Sequence, residues 1–596
     1  MFQLSGAGDV LLSPGLKLAA RRADPDKVRL RPPGFRFALP LLAALLLVVL
    51  AAPAAAQERD ASLVPQVLPA PSPDAQPKGF VVSAREAVRI ARRVPDVARE
   101  QAKRGPLEPS VGFPTYRTEP QRWEVGFARP GGKRVVEVHV EGSSGRVIEV
   151  WTGPQVDNLL ARGYDPSVGG KLLNAPYVWL PLCLLFLIPF IDPRRPLRVL
   201  HLDLLMLLGF GVSQLFFNRG EIDLSVPLAY PFLAYLLGRM LWIGFRPRAG
   251  AGPLVPVVPV GALVLGLVLL VGFRVALNVA DSNVIDVGYA SVVGADRIVQ
   301  NEELYTDNDV HGDAYGPFNY VAYLPFEAVL PWSGKWDSVP AAHAAALAFD
   351  LLTLLGLFLL GRRLRPGPEG RSLGVALAFA WAAYPYSTYV LQSNTNDGLL
   401  AMLIVYSLLA LGSPPARGAL VGLGAAAKFA PLALVPLLAA GRGERGLKPL
   451  LGFAGALAGV LVVAALAYLP DGGPRELWNA TLGFQLGRES PFSLWGLHTS
   501  LEPLQTVVKG AAVLLALALF AVPGRRDVRQ VAALAAAVLI ALQLAATHWF
   551  YFYIVWFAPL ALAALLAGHD VPPGRRWTNV GAIFRSSAKD TAFARR

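Results

Sequence analysis

Residues 341–361 read AAHAAALAFDLLTLLGLFLLG, a run in which only His343, Asp350 and Thr353 are polar. A hydrocarbon core of about 30 Å needs about 20 helical residues at about 1.5 Å each. This run therefore has the length of a membrane span. Asp350 stands nine residues inside it, where a lone carboxylate is costly, and is expected to pair within a helix bundle.

Comparable runs lie near 176–191, 199–217, 225–244, 254–276, 373–390, 398–413, 449–469, 506–523, 529–547 and 550–567. The stretch 417–441 is interrupted by Lys428 and Pro431 and reads as a short hairpin of two half-length helices. Together these give about thirteen membrane segments. Composition agrees: of 596 residues, 54% are hydrophobic and 16% charged, against about 25% charged in soluble proteins. Mean hydropathy is +0.45. A soluble multidomain protein and a disordered or fibrous chain are excluded. With 55 basic and 42 acidic residues the formal charge is +13, read as membrane topology rather than nucleic-acid binding. One cysteine, Cys183, permits neither an intrachain disulfide nor a cysteine metal site. Ala, Leu, Gly, Pro and Arg outweigh Lys and Asn, as in a high-GC bacterial gene.

The basic loops orient the bundle. Arg194, Arg195 and Arg198 fall on one side, with Arg246 and Arg248, Arg362 to Arg371, Arg442 to Lys448, and Arg525 to Arg529. The positive-inside rule makes that side cytoplasmic. Only the hairpin reading of 417–441 keeps the later loops in register. Residues 277–340 and 470–505, with the QSNTND turn at 392–397, then face outward, where function concentrates. The expected place is a bacterial plasma membrane, multi-pass, with an extracytoplasmic active face.

Ahead of the bundle, residues 1–56 combine basic positions, an apolar run from Phe37 to Ala52 and Ala54-Ala55-Ala56. A cleaved signal peptide and an uncleaved N-terminal anchor both fit. Residues 57–79 read as a Pro-rich linker. From 80 to 170 the chain reads as a small α+β domain. Ser83-Ala84-Arg85-Glu86 has a capping-box pattern, Pro95 starts a second helix, and 122–127, 134–140 and 146–151 alternate as strands. His139 on the second strand is read as structural. The AREAVRIAR helix, the WEVGF and VVEVHV strands and GRVIEVWTG with VDNLLARGY resemble a PepSY-type domain. That resemblance implies an extracytoplasmic regulatory or protein-binding module. The transmembrane domain follows over 171–567, then a basic cytoplasmic tail, 568–596.

Chemistry is sought in the outward loops. Asp281 and Asp286 follow a helix end at the lipid–water boundary, where apolar surroundings suit a general base. Asp286-x-x-Tyr289-Ala290 with Gly294 and Tyr305, YGPFNYVAYLPF from Tyr315, GLGAAAKFAPLALVPLL around Lys428 and THWFYFYIVWFAPLAL with His548 are similar to the loop, hairpin and last-helix patterns of a GT-C glycosyltransferase. The closest likeness is to the family 87 type that uses polyprenyl-phosphate-mannose. This implies inverting transfer of a sugar such as mannose from a polyprenyl phosphate to an envelope glycan, lipid or protein acceptor. In that family the first-loop Asp acts as base. Asp286 takes this role here, with Asp281 as its rival.

Lys428, His548, Tyr289, Tyr315, Asp397 and Arg488 are candidate substrate-binding residues. Each has a plainer reading: snorkelling for Lys428, helix capping for Asp397, an interfacial role for His548. No cofactor is required, though Asp307, Asp309, His311 and Asp313 have the oxygen-ligand character of a divalent-cation site; a solvated acidic loop is their plainer reading. Membrane lipids are expected partners, nucleic acid is not. No glycine-rich nucleotide motif supports a cytoplasmic nucleotide-sugar donor. Two other readings stand beside transfer: a transporter or flippase of lipid-linked intermediates, and a membrane-anchored sensor.

Overall fold

The computed structural model describes residues 67–114, 120–163, 168–250, 252–305, 314–334, 339–444, 446–488 and 490–571. The N-terminal leader, Asp307 to Asp313, Trp336 and the tail from 572 lie outside those residues.

Five strands, β1 Val67–Pro69, β2 Glu108–Pro114, β3 Arg122–Ala128, β4 Arg134–Glu141 and β5 Val147–Thr152, form one sheet in sequential order. All neighbours are antiparallel. Alternation decides which face is buried. Trp123, Val125 and Phe127 oppose Val140, Val138 and Val136 across the β3–β4 register, each at most 1% exposed. Helix α1, Ala84–Ala91, lays Ala84, Ala87 and Ala91 on that face, and α2 is Pro95–Arg104. Ser83 caps α1 by accepting from the Glu86 N–H at 3.3 Å. The reciprocal half of a capping box is not the use made of Glu86, whose carboxylate takes Arg89 at 2.6 Å.

Two strands differ from the sequence reading. The segment read as linker up to 79 supplies β1, and β2, which holds Pro109, Gly112 and Pro114, lies outside the three runs expected as strands. His139 has the structural role expected of it. Its Nδ1 lies 2.8 Å from Glu149 and its Nε2 2.7 Å from Glu137. Burial opposes protonation of the ring, but those two hydrogen bonds outweigh it and raise its pKa. Arg162 adds a contact to Glu137 at 3.0 Å.

The principal helices of the membrane region are α3 Pro176–Leu187, α4 Val199–Phe217, α5 Ile222–Phe245, α6 Val260–Asp281, α7 Asp286–Gln300, α8 Pro340–Leu364, α9 Gly367–Ala383, α10 Pro385–Gln392, α11 Asp397–Leu409, α12 Pro414–Ala427, α13 Leu447–Ala467, α14 Glu502–Ala521, α15 Val528–Ala545 and α16 Ile554–Leu566. Among the described residues, seven helices are long and apolar enough to cross a membrane: α4, α5, α6, α8, α13, α14 and α15. Of the thirteen or so segments expected, these seven have spanning length, and Pro176–Phe190, Asp397–Leu409, Ala430–Ala440 and Tyr551–Leu566 are shorter apolar helices. Proline accounts for one break, since Pro385 lacks an N–H and separates α9 from α10. The 417–441 stretch is divided as read: α12 stops at Lys428, whose backbone is extended, and two short turns follow, Ala430–Leu434 and Val435–Ala440. At the centre, 78% of α15 is buried, whereas 6% of α13 is. Helix α13 is thus a peripheral element.

Asp350 pairs inside the bundle, as expected. Its carboxylate receives Arg274 Nη2 at 2.6 Å, Arg274 Nε at 3.2 Å and Trp381 Nε1 at 2.9 Å. The guanidinium, 1% exposed, also donates to Ser387 and the Ala382 carbonyl. Removing one partner leaves a buried charge uncompensated, at about 3–5 kcal/mol. Asp350→Leu should therefore lower the thermal midpoint in detergent sharply, and the double change Arg274→Met with Asp350→Leu should recover much of the loss. Equal destabilisation by the single and the double change would contradict this pairing.

Candidate functional site

The site is assembled by a buried polar seam. After α6 the chain runs beside residues 391–394: the Asn283 N–H donates to the Gln392 carbonyl at 3.2 Å, and the Ile285 N–H to Ser393 at 3.3 Å. Asn394, left-handed at φ 48°, donates from Nδ2 to the Asn283 carbonyl at 2.7 Å and accepts from Asn278 at 2.9 Å. Asn396 Nδ2 reaches Asn319 Oδ1 at 2.8 Å, and Asn319 reaches Ser291 of α7 at 2.9 Å. Residues 392–397 are all at most 2% exposed, so QSNTND is a buried joint rather than a surface turn. Gly288 belongs to this joint, because a Cβ there would sit 2.3 Å from the Asn394 carbonyl oxygen.

A second close approach places the aromatic loop. The Gly316 N–H donates to the Ala427 carbonyl at 3.2 Å, and a Cβ on Gly316 would lie 2.2 Å from the Ala426 oxygen. Tyr315 is thereby held against the end of α12, its ring 5.5 Å from Lys428 Nζ. Lys428 does not simply snorkel. Its Nζ is 2.6 Å from Asp397 Oδ1 and lies over the rings of Tyr553 and Trp556 at 5.9 and 5.6 Å. Trp556 Nε1 donates to the same Asp397 oxygen at 2.9 Å, and Tyr553 stacks on Trp556 at 4.2 Å. Asp397 stands on the first turn of α11 but spends its carboxylate on Lys428 and Trp556, not on a helix cap.

The second long loop closes one side. His548 Nδ1 lies 2.7 Å from Ser490 Oγ, and its ring is 5.9 Å from that of Tyr553. Burial, then Arg488 and Lys428, push the His548 pKa down to about 3. Both cations therefore act electrostatically on this ring. Tyr315 is held well above the usual phenol range by burial and by the charges of Asp286 and Asp397, with Arg488 acting in the opposite sense. The Tyr315 ring is thus where the fields of both carboxylates and Arg488 meet.

Four of the eight candidates share one cluster of contacts, Tyr315, Asp397, Lys428 and His548, and the charges of Asp286 and Arg488 act on it. The other two make different contacts. Asp281 Oδ2 accepts from the Leu172 N–H at 2.6 Å, tying α6 to the segment ahead of α3. Tyr289 packs edge-on against Trp332 at 5.6 Å within an apolar cluster. Asp286 also departs from expectation, for it is exposed rather than apolar-walled, and its Oδ1 accepts from the Val287 N–H at 2.8 Å. The reason is its place on the open first turn of α7. Tyr553, Trp556 and Ser490 were not singled out by sequence, although Tyr553 and Trp556 share one helical face at spacing three. The acidic stretch considered for a cation lies outside the described residues. Among the described residues, Glu124, Glu137 and His139 have ligand atoms within reach of one ion, but Arg122 and Arg162 already pair with those carboxylates.

Residues 314–569 match the model of glycosyltransferase family 87. The protein is a membrane glycosyltransferase. The matched stretch contains Tyr315, Asp397, Lys428, Arg488, His548, Tyr553 and Trp556, whereas Asp286 precedes it. No curated protein matches the chain.

The His548 environment has a measurable consequence. Its folded pKa of about 3 lies below the unfolded value of about 6.5. Between these values the unfolded enzyme binds the extra proton, so stability falls as pH drops through that window. In thermal scans from pH 7 to 4.5, His548→Gln should show a flatter acid decline than the parent enzyme. A decline unchanged by the substitution would place His548 outside this buried environment.

Proposed function

We propose that the enzyme transfers a sugar, mannose or a similar hexose, from a polyprenyl phosphate to an envelope acceptor at the extracytoplasmic face, with inversion. The observation that supports this reading is a cation clamped by Asp397 among aromatic rings, with the charge of the exposed Asp286 acting on one of those rings, Tyr315. Asp397 is 1% exposed, with Oδ1 held by both Lys428 and Trp556, so it is shielded from an incoming acceptor. Asp286 is exposed and keeps a carboxylate oxygen for the acceptor hydroxyl. It takes the hydroxyl proton as that oxygen attacks the anomeric carbon, and the bond from that carbon to the lipid phosphate breaks. The remaining N–H groups of Lys428, together with Arg488, neutralise the departing phosphate. Rings of Tyr315, Tyr553 and Trp556 offer apolar faces to the sugar or the first isoprene units.

Face and partners follow from charge. The arginine-rich loops lie at the ends of the helices away from Lys428, which supports an outward-facing site by the positive-inside rule. The N-terminal α+β domain is read as a PepSY-like module that recruits or regulates on that same face. No metal is assigned a step, because Lys428 and Arg488 supply the positive charge the leaving group needs.

Reconstituted membranes given radiolabelled polyprenyl-phosphate sugars test the reading. Asp286→Asn should lower kcat by about 10² or more, with donor binding kept, and wild-type transfer should persist in EDTA. Transfer by Asp286→Asn at the wild-type rate would remove Asp286 as base. Failure of the wild-type protein with every lipid-linked sugar would favour the transport or sensor readings.

A further inference from the structure

The opposite end of the central helices carries a different chemistry. The 18 residues of α15 rise about 27 Å, so its first turn stands a bilayer's depth from His548. There a cavity of about 190 Å³ lies among Arg198, Arg239, Arg246, Arg248, Arg529 and His569. That is several times the volume of about 30 Å³ that a water molecule occupies. Five guanidinium groups line it, and no carboxylate does.

Two of the five are accounted for within the fold. Arg239 Nε pairs with Asp203 at 2.9 Å, and Arg529 donates to the carbonyls of Ala564 and Arg248 at 2.7 and 2.9 Å. Arg198 is different. Its side chain is 3% exposed, and Asp192, with which it forms its ion pair, is 4.0 Å from Nη1. Only Nη2 makes a hydrogen bond, 2.9 Å from His569 Nδ1, while Nε and Nη1 are buried with no hydrogen-bond partner among the described residues. Open N–H groups on a buried cation are costly, and a planar guanidinium matches two oxygens of a tetrahedral anion. Arg198 also sits at the start of α4, whose first residues, Val199 and Leu200, line the same cavity. A helix N-terminus favours negative charge there. At the rim, Arg246 and Arg248 are exposed.

We propose that this cavity binds a phosphate-type oxyanion, the head group of an anionic lipid or free phosphate, gripped by Arg198 Nε and Nη1 and screened by Arg246 and Arg248. The proposal is independent of the sugar-transfer reading, since none of these residues touches the Lys428 site. It makes the arginine-rich end of the bundle a binding site and not only a topological marker.

The full-length protein, stripped of lipid in detergent, tests it in two arms. One titrates inorganic phosphate against chloride and follows the thermal midpoint. The other offers phosphatidylglycerol against phosphatidylcholine and counts retained lipid by native mass spectrometry. Wild type should prefer phosphatidylglycerol or phosphate, saturably, and Arg198→Gln should weaken that preference by about tenfold or more. Should Arg198→Gln fail to fold, the rim pair Arg246→Gln with Arg248→Gln, exposed and outside the core, should show the same direction. A response to phosphatidylglycerol alone assigns a lipid head group, and one to phosphate without lipid assigns a free anion. Equal binding of all four agents, or rim and Arg198 variants that bind like wild type, would overturn the proposal.

Discussion

A lysine at the end of a broken membrane helix is costly unless it snorkels or meets an anion, and here it meets Asp397 at 2.6 Å. The pair joins α11 to α12 and, through Trp556, to α16. The surroundings follow from it. With its ammonium fixed, Lys428 becomes a centre against which Tyr315, Tyr553 and Trp556 lay their rings, each such contact adding about 0.5–2 kcal/mol depending on desolvation. The asparagine seam then sets α7, and Asp286 with it, against the same joint.

Two carboxylates with opposite fates illustrate how environment assigns roles. Asp397 is buried, twice hydrogen-bonded and committed to a cation. Asp286 stands on an open first turn, touched by its own neighbour's amide. The same residue type therefore holds the architecture in one place and stands open to solvent in the other. Similar economy is seen deeper in the bundle, where Arg274 and Asp350 neutralise each other among apolar helices.

Much of the fold was legible because bilayer thickness imposes a length on apolar runs. The break at Lys428 was legible too, since a cation and a proline in one hydrophobic stretch cannot be continuous helix. What failed has physical reasons. Strands β1 and β2 were hidden by Pro69, Pro109 and Pro114, of which Pro69 lies on the edge strand and Pro114 ends β2. Several short helices lack spanning length because prolines divide them. At the site, residue types announced themselves but partners did not. Asp397 lies 31 residues before Lys428, and nothing in spacing alone pairs them. Tyr289 shares a helix with Asp286, yet packs against Trp332 in an apolar cluster. Asp281 stood as the rival of Asp286 in sequence, and its bond from the Leu172 amide separates the two.

The dependence of the whole cluster on one ion pair is open to direct measurement. In a double-mutant cycle, Lys428→Met, Asp397→Asn and the combined variant are compared with wild type by thermal unfolding in detergent. The account predicts a coupling of about 1–3 kcal/mol, the double variant being far less unstable than the sum of the singles. Strictly additive losses would mean that Lys428 and Asp397 do not hold each other, and the arrangement built around them would lose its foundation.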